Sequence, residues 1–120
     1  MNLIIDCDFV IIEGGITMDN NVQELSAMLM KSNWPKSEEI AQKLYIIGTT
    51  EAKEALLGGL SGKRHAIRTA CIKYIAEFND TDTVEIIKKF LNDSSYETRM
   101  EAKAAIKKLT GNDVLTSRGE

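Results

Sequence analysis

The chain repeats itself at an interval of about 31 residues after Met18, and this repeat constrains the fold more than any other feature of the sequence. When the sequence is shifted by this interval, apolar residues coincide in five columns of three. The columns are Leu25, Leu56, Ile87; Leu29, Leu60, Leu91; Ile40, Cys71, Ala102; Leu44, Ile75, Ile106; and Ile47, Phe78, Leu109. The breaks between apolar segments fall in register as well. A fixed interval of this kind is typical of stacked repeats rather than of unrelated amphipathic helices.

Each copy of the repeat contains two amphipathic helical patterns separated by a short break. The predicted helices are 21–30 and 35–47, then 50–60 and 64–78, then 82–91 and 96–109. Gly48, Asn79 and Gly111 follow the second helices, as expected of residues that end a helix. One helix–turn–helix unit cannot bury its apolar face alone, whereas stacked units can. The sequence therefore predicts an all-α fold, a short right-handed α-solenoid of three such units with a period of about 31 residues.

Composition and cysteine content indicate the number of domains, the class of partner and the cellular compartment. A chain of 120 residues is enough for one domain, and the net charge of −3 gives no reason to expect nucleic acid or an anionic membrane as a partner. Cys7 and Cys71 have no metal-ligand spacing, and no secretory signature accompanies them. We therefore expect a cytoplasmic protein with free thiols and no membrane span.

Residues 1–17 precede the repeat and follow different rules. The apolar stretch at 3–12 is interrupted by Asp6 and Asp8 and lacks a basic flank, so it does not have the pattern of a signal peptide. It is also too short to cross a bilayer as a helix. One interpretation of this N-terminal extension is therefore a short β-prone strand or a tail that covers the end of the first repeat.

A second interpretation is that the extension is an untranslated leader read as protein from a misplaced start. The Glu-Gly-Gly run at 13–15 can be encoded by a purine-rich GGAGG sequence, and two codons separate it from Met18. That is the arrangement of a bacterial ribosome-binding site before a start codon. On either interpretation the repeat domain spans 18–111, and a polar C-terminal tail, 112–120, follows it.

Two segments carry a family resemblance. The stretches "IIGTTEAKEALLGGL" (46–60) and "LNDSSYETRMEAKAAIKKLTG" (91–111) resemble HEAT-like repeats, especially the short bacterial kind of phycobilisome-lyase-type HEAT proteins. The resemblance covers roughly 20–111, although the period is shorter than the usual HEAT length. It implies the architecture more than the function, because HEAT arrays serve many purposes.

The resemblance also implies roles for individual residues. Asp93 and Arg99 stand where HEAT repeats often have an Asp in the inter-helix turn and an Arg early in the second helix, and Arg68 matches that Arg in copy two. We expect these three residues to stabilise the repeats. Gly62 replaces the Asp in copy two, and copy one lacks both residues, with Lys31 and Ser37 in their places.

No constellation of catalytic, cofactor-binding or metal-ligating residues emerges from the sequence. The single histidine, His65, has no partner spaced for metal binding or for activating a nucleophile. Cys71 shares a core column with Ile40 and Ala102 and is interpreted as a small buried hydrophobe. Gly58-Gly59 falls inside a helical pattern, where it permits close helix packing or a kink. We expect a protein that is not an enzyme and has no cofactor.

The middle copy contains the one basic cluster, formed by Lys63, Arg64, His65 and Arg68 at the start of a second helix. This position suits an anion or an acidic partner. The alternative is that Arg68 hydrogen-bonds the neighbouring turn while Lys63 and Arg64 are solvated. The cluster has no interleaved aromatic residues, so it favours nucleic-acid binding only weakly.

A surface lined by the second helices is the expected partner-binding site, because solenoids use one set of helices in this way. The candidates are Tyr45 in copy one, Lys73 and Tyr74 in copy two, and Lys63, Arg64 and His65 of the basic cluster. Trp34 is either a hydrophobic staple on a helix that begins with Pro35 or an exposed contact.

The sequence thus predicts a non-catalytic protein–protein interaction module, a small HEAT-repeat scaffold or adaptor. The alternative is a HEAT-like ligand-handling or DNA-binding protein, similar to a chromophore lyase or a DNA glycosylase. A further possibility is self-association through an exposed apolar end of the array.

Overall fold

The computed structural model describes residues 18–114, with side chains from Val22 onward. Over this range the chain forms the helices α1 (Met18–Lys31), α2 (Lys36–Ile47), α3 (Thr50–Gly59), α4 (His65–Glu77), α5 (Val84–Lys88) and α6 (Tyr96–Thr110). No strand occurs within this range, so the predicted all-α class is confirmed there. The two interpretations of residues 1–17, and the tail from 115 onward, lie outside the described residues.

The helices pack in consecutive pairs. Helix α1 packs on α2, α3 packs on α4, and α5 with the 3-10 turn after it packs on α6. Among the second members of the pairs, α4 lies between α2 and α6, and α1 packs on α3 on the other side. As a result the three second helices lie side by side, and residues from different pairs meet across them.

The core follows the repeat columns. Every residue of the five apolar columns either belongs to the buried core or is packed against it. Ile40, Leu44, Ile75 and Ile106 are almost completely buried along the second helices. Burying one such side chain contributes about 1.5–3 kcal/mol, so these columns dominate the stability of the pairs.

The helix ends match the residues that the sequence places there. Gly48, Asn79 and Gly111 all have positive φ, at 70°, 58° and 81°, which is the left-handed conformation expected after a helix. At the helix starts, the Thr49 hydroxyl accepts a hydrogen bond from the Ala52 N–H at 3.1 Å. These caps satisfy backbone groups that have no partner within the helix, so each second helix ends and the next pair begins within a few residues.

The first helix of the third pair differs from the predicted continuous helix at 82–91. It consists of α5 flanked by two 3-10 segments, Thr81–Thr83 and Lys89–Asn92. At its start, Asp80 accepts from the Asp82 N–H at 3.0 Å, and the Thr83 hydroxyl donates to the Asp80 carbonyl at 2.7 Å. Side-chain bonds of this kind compete with the regular helical ladder and hold the segment in a tighter turn.

A close approach of α3 to α4 explains the glycine pair. A Cβ added at Gly59 would lie 2.3 Å from the Cys71 Sγ, whereas one added at Gly58 would meet nothing. Gly59 therefore permits the expected close helix packing, and Gly58 has no such role. Cys71 is a free, fully buried thiol, and burial raises its pKa to about 12, so it stays protonated at neutral pH.

Candidate functional site

The edge of the molecule where the second helices begin, here called the turn edge, contains a polar network. Asp93 accepts two hydrogen bonds from the Arg68 guanidinium, each 2.9 Å long. The same guanidinium donates to the carbonyls of Gly62 and Lys63, at 3.0 and 2.9 Å. Arg99 donates to the Asp93 carbonyl at 2.9 Å. The three residues expected to stabilise the repeats thus meet at one turn, and they join the second pair to the third.

This network stabilises the negative charge of Asp93. The Arg68 and Asp93 side chains are only 13% and 11% exposed. Burial by itself raises the pKa of the Asp93 carboxyl. The hydrogen bonds from Arg68 and the Ser95 N–H, together with the charges of Arg68 and Arg99, lower this pKa by a larger amount. The resulting pKa is below the ordinary value for aspartate, so the carboxylate is ionised at neutral pH.

Arg64 connects the second pair to the first. Its guanidinium donates to the carbonyls of Lys31 and Ser32, at 3.0 and 3.2 Å. The interpretation of Arg64 as a merely solvated cation is therefore wrong, because the first turn supplies two carbonyl acceptors. Both acceptors are neutral, so the positive charge of Arg64 is not offset by a carboxylate among the residues with described side chains.

A groove of about 400 Å³ crosses the surface formed by the second helices, next to the turn edge. We call it the second-helix groove, and its lining residues are Trp34, Glu38, His65, Ala66, Thr69, Ala70 and Glu97. Ala66 and Ala70 lie one helical turn apart on α4 and are nearly buried. Because these side chains are small, the surface of α4 is recessed between α2 and α6, which leaves a depression.

Trp34 stands at one wall of the groove and is 72% exposed. The staple interpretation is therefore wrong, and Pro35 precedes α2 instead of forming its first residue. Trp34, His65 and Tyr96 recur at the same interval as the apolar columns, and all three rings are exposed. This aromatic column was missed in the sequence, although the shift that revealed the apolar columns could have revealed it.

The rest of the groove lining includes polar side chains that contact one another between the second helices. His65 Nδ1 lies 3.6 Å from a Glu97 carboxylate oxygen, between α4 and α6. Across α2 and α4, Lys73 donates to Glu38 at 2.8 Å, and its ammonium also lies 5.4 Å from the centre of the Tyr74 ring. Of the candidate partner-binding residues, His65 thus lines the groove, whereas Lys73 is held by its neighbours beside it.

The two candidate tyrosines are less accessible than expected. Tyr74 is only 8% exposed, so its assignment to the partner-binding surface is wrong. It is buried because α4 lies between two other second helices, which cover its flanks. Tyr45 is half-buried, with its ring centre 5.8 Å from that of Tyr74 and 5.1 Å from that of Phe78. These rings pack with one another and with the core.

Within and beyond the groove, the second helices bring the carboxylates of Glu38, Glu77 and Glu101 together. Burial raises the pKa of Glu101 above its ordinary value, Glu38 and Glu77 raise it further, and Lys73 opposes the increase. Glu77 also pairs with Lys108 at 2.8 Å. The surface therefore changes from a basic turn edge to a region in which carboxylates lie close together and Glu38 and Glu77 are paired with lysines.

Comparison of the chain with protein-family models, curated proteins and solved structures finds no match. In the part of the chain that the structure describes, no group of three or more His, Cys, Asp or Glu residues is placed to hold a metal ion. None of the helices at 18–114 is long and apolar enough to cross a membrane.

Proposed function

We propose that the protein is a non-catalytic protein-binding module whose partner occupies the second-helix groove. The groove carries this proposal because it is a concave surface built by all three helix pairs, with an exposed tryptophan at its wall. Tryptophan is a frequent anchor of protein interfaces, since its large ring buries much area on binding. A largely exposed ring of this size is otherwise unfavourable in water.

The architecture we propose is a short HEAT-like α-solenoid of three repeats. The side-by-side arrangement of α2, α4 and α6 supports it, as do the arginines that connect each pair to its neighbour. Solenoids present the surface of one helix set to their partners, which is where the groove lies. The cytoplasm is the setting we propose, and a buried, free Cys71 is compatible with its reducing conditions.

Capture of the partner by matched variants tests the proposal. The chain, tagged at its native locus, is purified from its own lysate as the wild type, as Trp34→Ala and as Ile46→Ala. Ile46 is a suitable control because it is also a large apolar residue on this molecule, 72% exposed like Trp34, yet it does not line the groove.

The result expected is a protein recovered in stoichiometric yield with the wild type and with Ile46→Ala but lost with Trp34→Ala. Both variants should retain the stability of the wild type to within about 0.5 kcal/mol, because exposed side chains contribute little to folding. A partner retained equally by all three proteins would assign binding to another surface, and recovery of the chain alone would contradict the proposal.

A further inference from the structure

The turn edge has more positive charge than its own carboxylates offset. Two cavities lie along it, one lined by Met30, Lys31, Ser61, Lys63 and Arg64, and the other by Asn33, Lys63, Arg64, His65, Arg68, Ser94, Ser95, Tyr96 and Glu97. Their cationic residues are Lys31, Lys63, Arg64 and Arg68, whereas Glu97 is the single carboxylate among the lining residues whose side chains the structure describes. Arg68 is paired with Asp93, so the uncompensated charge belongs to the other three.

This basic edge is continuous with the second-helix groove. Lys63 and Arg64 line both turn-edge cavities, and His65 and Glu97 line both the second of these and the groove. One extended ligand can therefore contact the basic edge and the groove at the same time. The groove floor at Ala66 and Ala70 and the exposed Trp34 ring offer apolar contact, and the edge offers cations.

We propose that this surface binds an acidic peptide segment of a partner protein, with carboxylates at Lys31, Lys63 and Arg64 and an adjacent apolar side chain against Trp34. The proposal rests on the protein-binding function proposed above and names the chemistry of the partner. Carboxylates complement the uncompensated cations, and such complementarity selects partners and accelerates their encounter. The groove of about 400 Å³ has room for a large aliphatic or aromatic side chain.

The charges around the groove also set the direction of the peptide. Glu38 lines the groove, and the carboxylates of Glu38 and Glu77 add to burial in raising the pKa of Glu101, while Lys73 opposes them. Acidic residues of the peptide are therefore disfavoured there and favoured at the turn edge. The segment should enter with its acidic residues at the edge and its apolar residue in the groove.

Single-stranded nucleic acid fits this surface less well. Its phosphates would find the same cations, and its bases could stack on Trp34, His65 and Tyr96. However, Glu97 lines the groove with a carboxylate oxygen 3.6 Å from His65 Nδ1, where it would repel a phosphate backbone that follows bases stacked on these rings. A peptide can place its carboxylates at Lys31, Lys63 and Arg64 and pass Glu97 with an uncharged residue, whereas every nucleotide carries a phosphate.

Selection from a random peptide library displayed on phage tests the inference on the full chain. Parallel selections use the wild type, Trp34→Ala, a double variant with Lys31→Glu and Lys63→Glu, and Lys43→Glu as the control. Lys31, Lys63 and Lys43 are all exposed, but Lys43 lines none of the three cavities. Selected peptides are then synthesised and titrated while the fluorescence of Trp34, the single tryptophan of the chain, is recorded.

The expected peptides contain Asp or Glu beside a large apolar residue and shift the Trp34 emission to shorter wavelength. Their affinity should fall about tenfold in the double variant, remain within about twofold in Lys43→Glu, and decrease with rising salt concentration. Trp34→Ala should weaken binding about tenfold as well, which a competition assay with labelled peptide measures.

Contrary results separate the two proposals. If the peptides depend on Trp34 but lack acidic residues, or bind the double variant as well as the wild type, the acidic-peptide inference is overturned and the protein-binding function stands. If no peptide prefers the wild type over Trp34→Ala, both are overturned. Displacement of the peptide by an equal concentration of a uridine oligonucleotide would assign the surface to nucleic acid and also overturn both.

Discussion

The first and third turns between paired helices occupy the same place in the repeat but are held together differently. In the third turn, Asp93 accepts hydrogen bonds from the guanidinium of Arg68 and the N–H of Ser95. Both side chains of the Arg68–Asp93 ion pair are largely buried. In the first turn, the corresponding residue is the exposed Lys31, whose carbonyl accepts a hydrogen bond from Arg64. The third turn is thus held by charge, whereas the first is held by backbone acceptors.

The middle helix pair therefore forms hydrogen bonds to both neighbouring helix pairs. Arg64 and Arg68, on either side of the start of α4, reach in opposite directions, one to the first turn and one to the third. The second turn contributes the carbonyls of Gly62 and Lys63 as acceptors for Arg68. Each turn therefore satisfies its backbone differently, although the interval of the repeat is constant.

The largest effect is expected from removing the charge that holds the third turn. Asp93→Ala leaves a mostly buried Arg68 without its carboxylate and the Ser95 N–H without an acceptor, so it should lower the free energy of unfolding by about 3 kcal/mol. The control is Lys31→Ala, at the same repeat position in the first turn, with an effect within about 0.5 kcal/mol. Urea unfolding measures both, and equal losses would show that the two turns do not differ.

The second turn should be sensitive to volume. A Cβ at Gly62 would lie 2.9 Å from Ile67 Cγ2 and 3.0 Å from the Gly59 carbonyl oxygen, so Gly62→Ala should cost about 2 kcal/mol. Gly58→Ala is the matched control, since nothing lies near its Cβ, and it should stabilise α3 by about 0.5–1 kcal/mol. Thermal unfolding of both variants checks this, and a neutral Gly62→Ala would mean that Ile67 moves aside freely.

A smaller effect is expected at the first turn. Arg64→Ala removes two exposed or half-exposed hydrogen bonds to carbonyls and should lower stability by about 1 kcal/mol, with faster hydrogen exchange in α1 and α2. Lys63→Ala, its exposed neighbour, is the control and should change neither quantity. Faster exchange in α6 instead would contradict the assignment of Arg64 to the first turn.

The pH dependence of stability should also report the third turn. The pKa of Asp93 is lower in the folded chain than in the unfolded chain, so its contribution is present above the unfolded value of about 3.9 and is lost as pH falls through the folded value. The loss should be smaller than in Asp93→Ala, because the protonated carboxyl still accepts hydrogen bonds. Urea unfolding curves measured at successive pH values test this. In Asp93→Asn, this part of the loss of stability at acid pH should disappear. An unchanged pH dependence would assign that loss to other carboxyls.

The smallest effect is expected in the first helix pair, at the repeat position where the other two pairs have an arginine. Ser37 stands in the repeat position of Arg68 and Arg99, is fully buried, and its hydroxyl has no hydrogen-bond partner among the described residues. Ser37→Ala should therefore raise stability by about 0.5 kcal/mol, because an unpaired buried hydroxyl is removed. Thr98, also fully buried but bonded to Thr69 at 2.9 Å, is the comparison, and Thr98→Ala should lower stability by about 1 kcal/mol. Calorimetry of both variants would reveal opposite signs or refute the distinction.

The helices were largely predictable, and the site was predictable only in part. Predicted and observed bounds agree closely at 50–60, 64–78 and 96–109, because apolar periodicity and end residues act within a few residues of each other. The start of the segment at 82–91 departed from the prediction because Asp80 and Thr83 bond to nearby backbone. Within the site, the basic cluster was found from sequence, whereas the groove floor of small residues was not.

Periodicity in the sequence was sufficient to assign the all-α class, the helix pairs and the residues of the core, because the repeat places the same apolar face inward three times. The accessibility of the remaining side chains depended on the packing of the pairs. Tyr74 is buried because helices cover both flanks of α4, whereas Trp34, in the turn between α1 and α2, is 72% exposed. Arg68 meets Asp93 across 25 positions of sequence, and a contact at that separation depends on how the pairs stack. Local periodicity carries no information about such stacking, since it reports only which side of a helix is apolar.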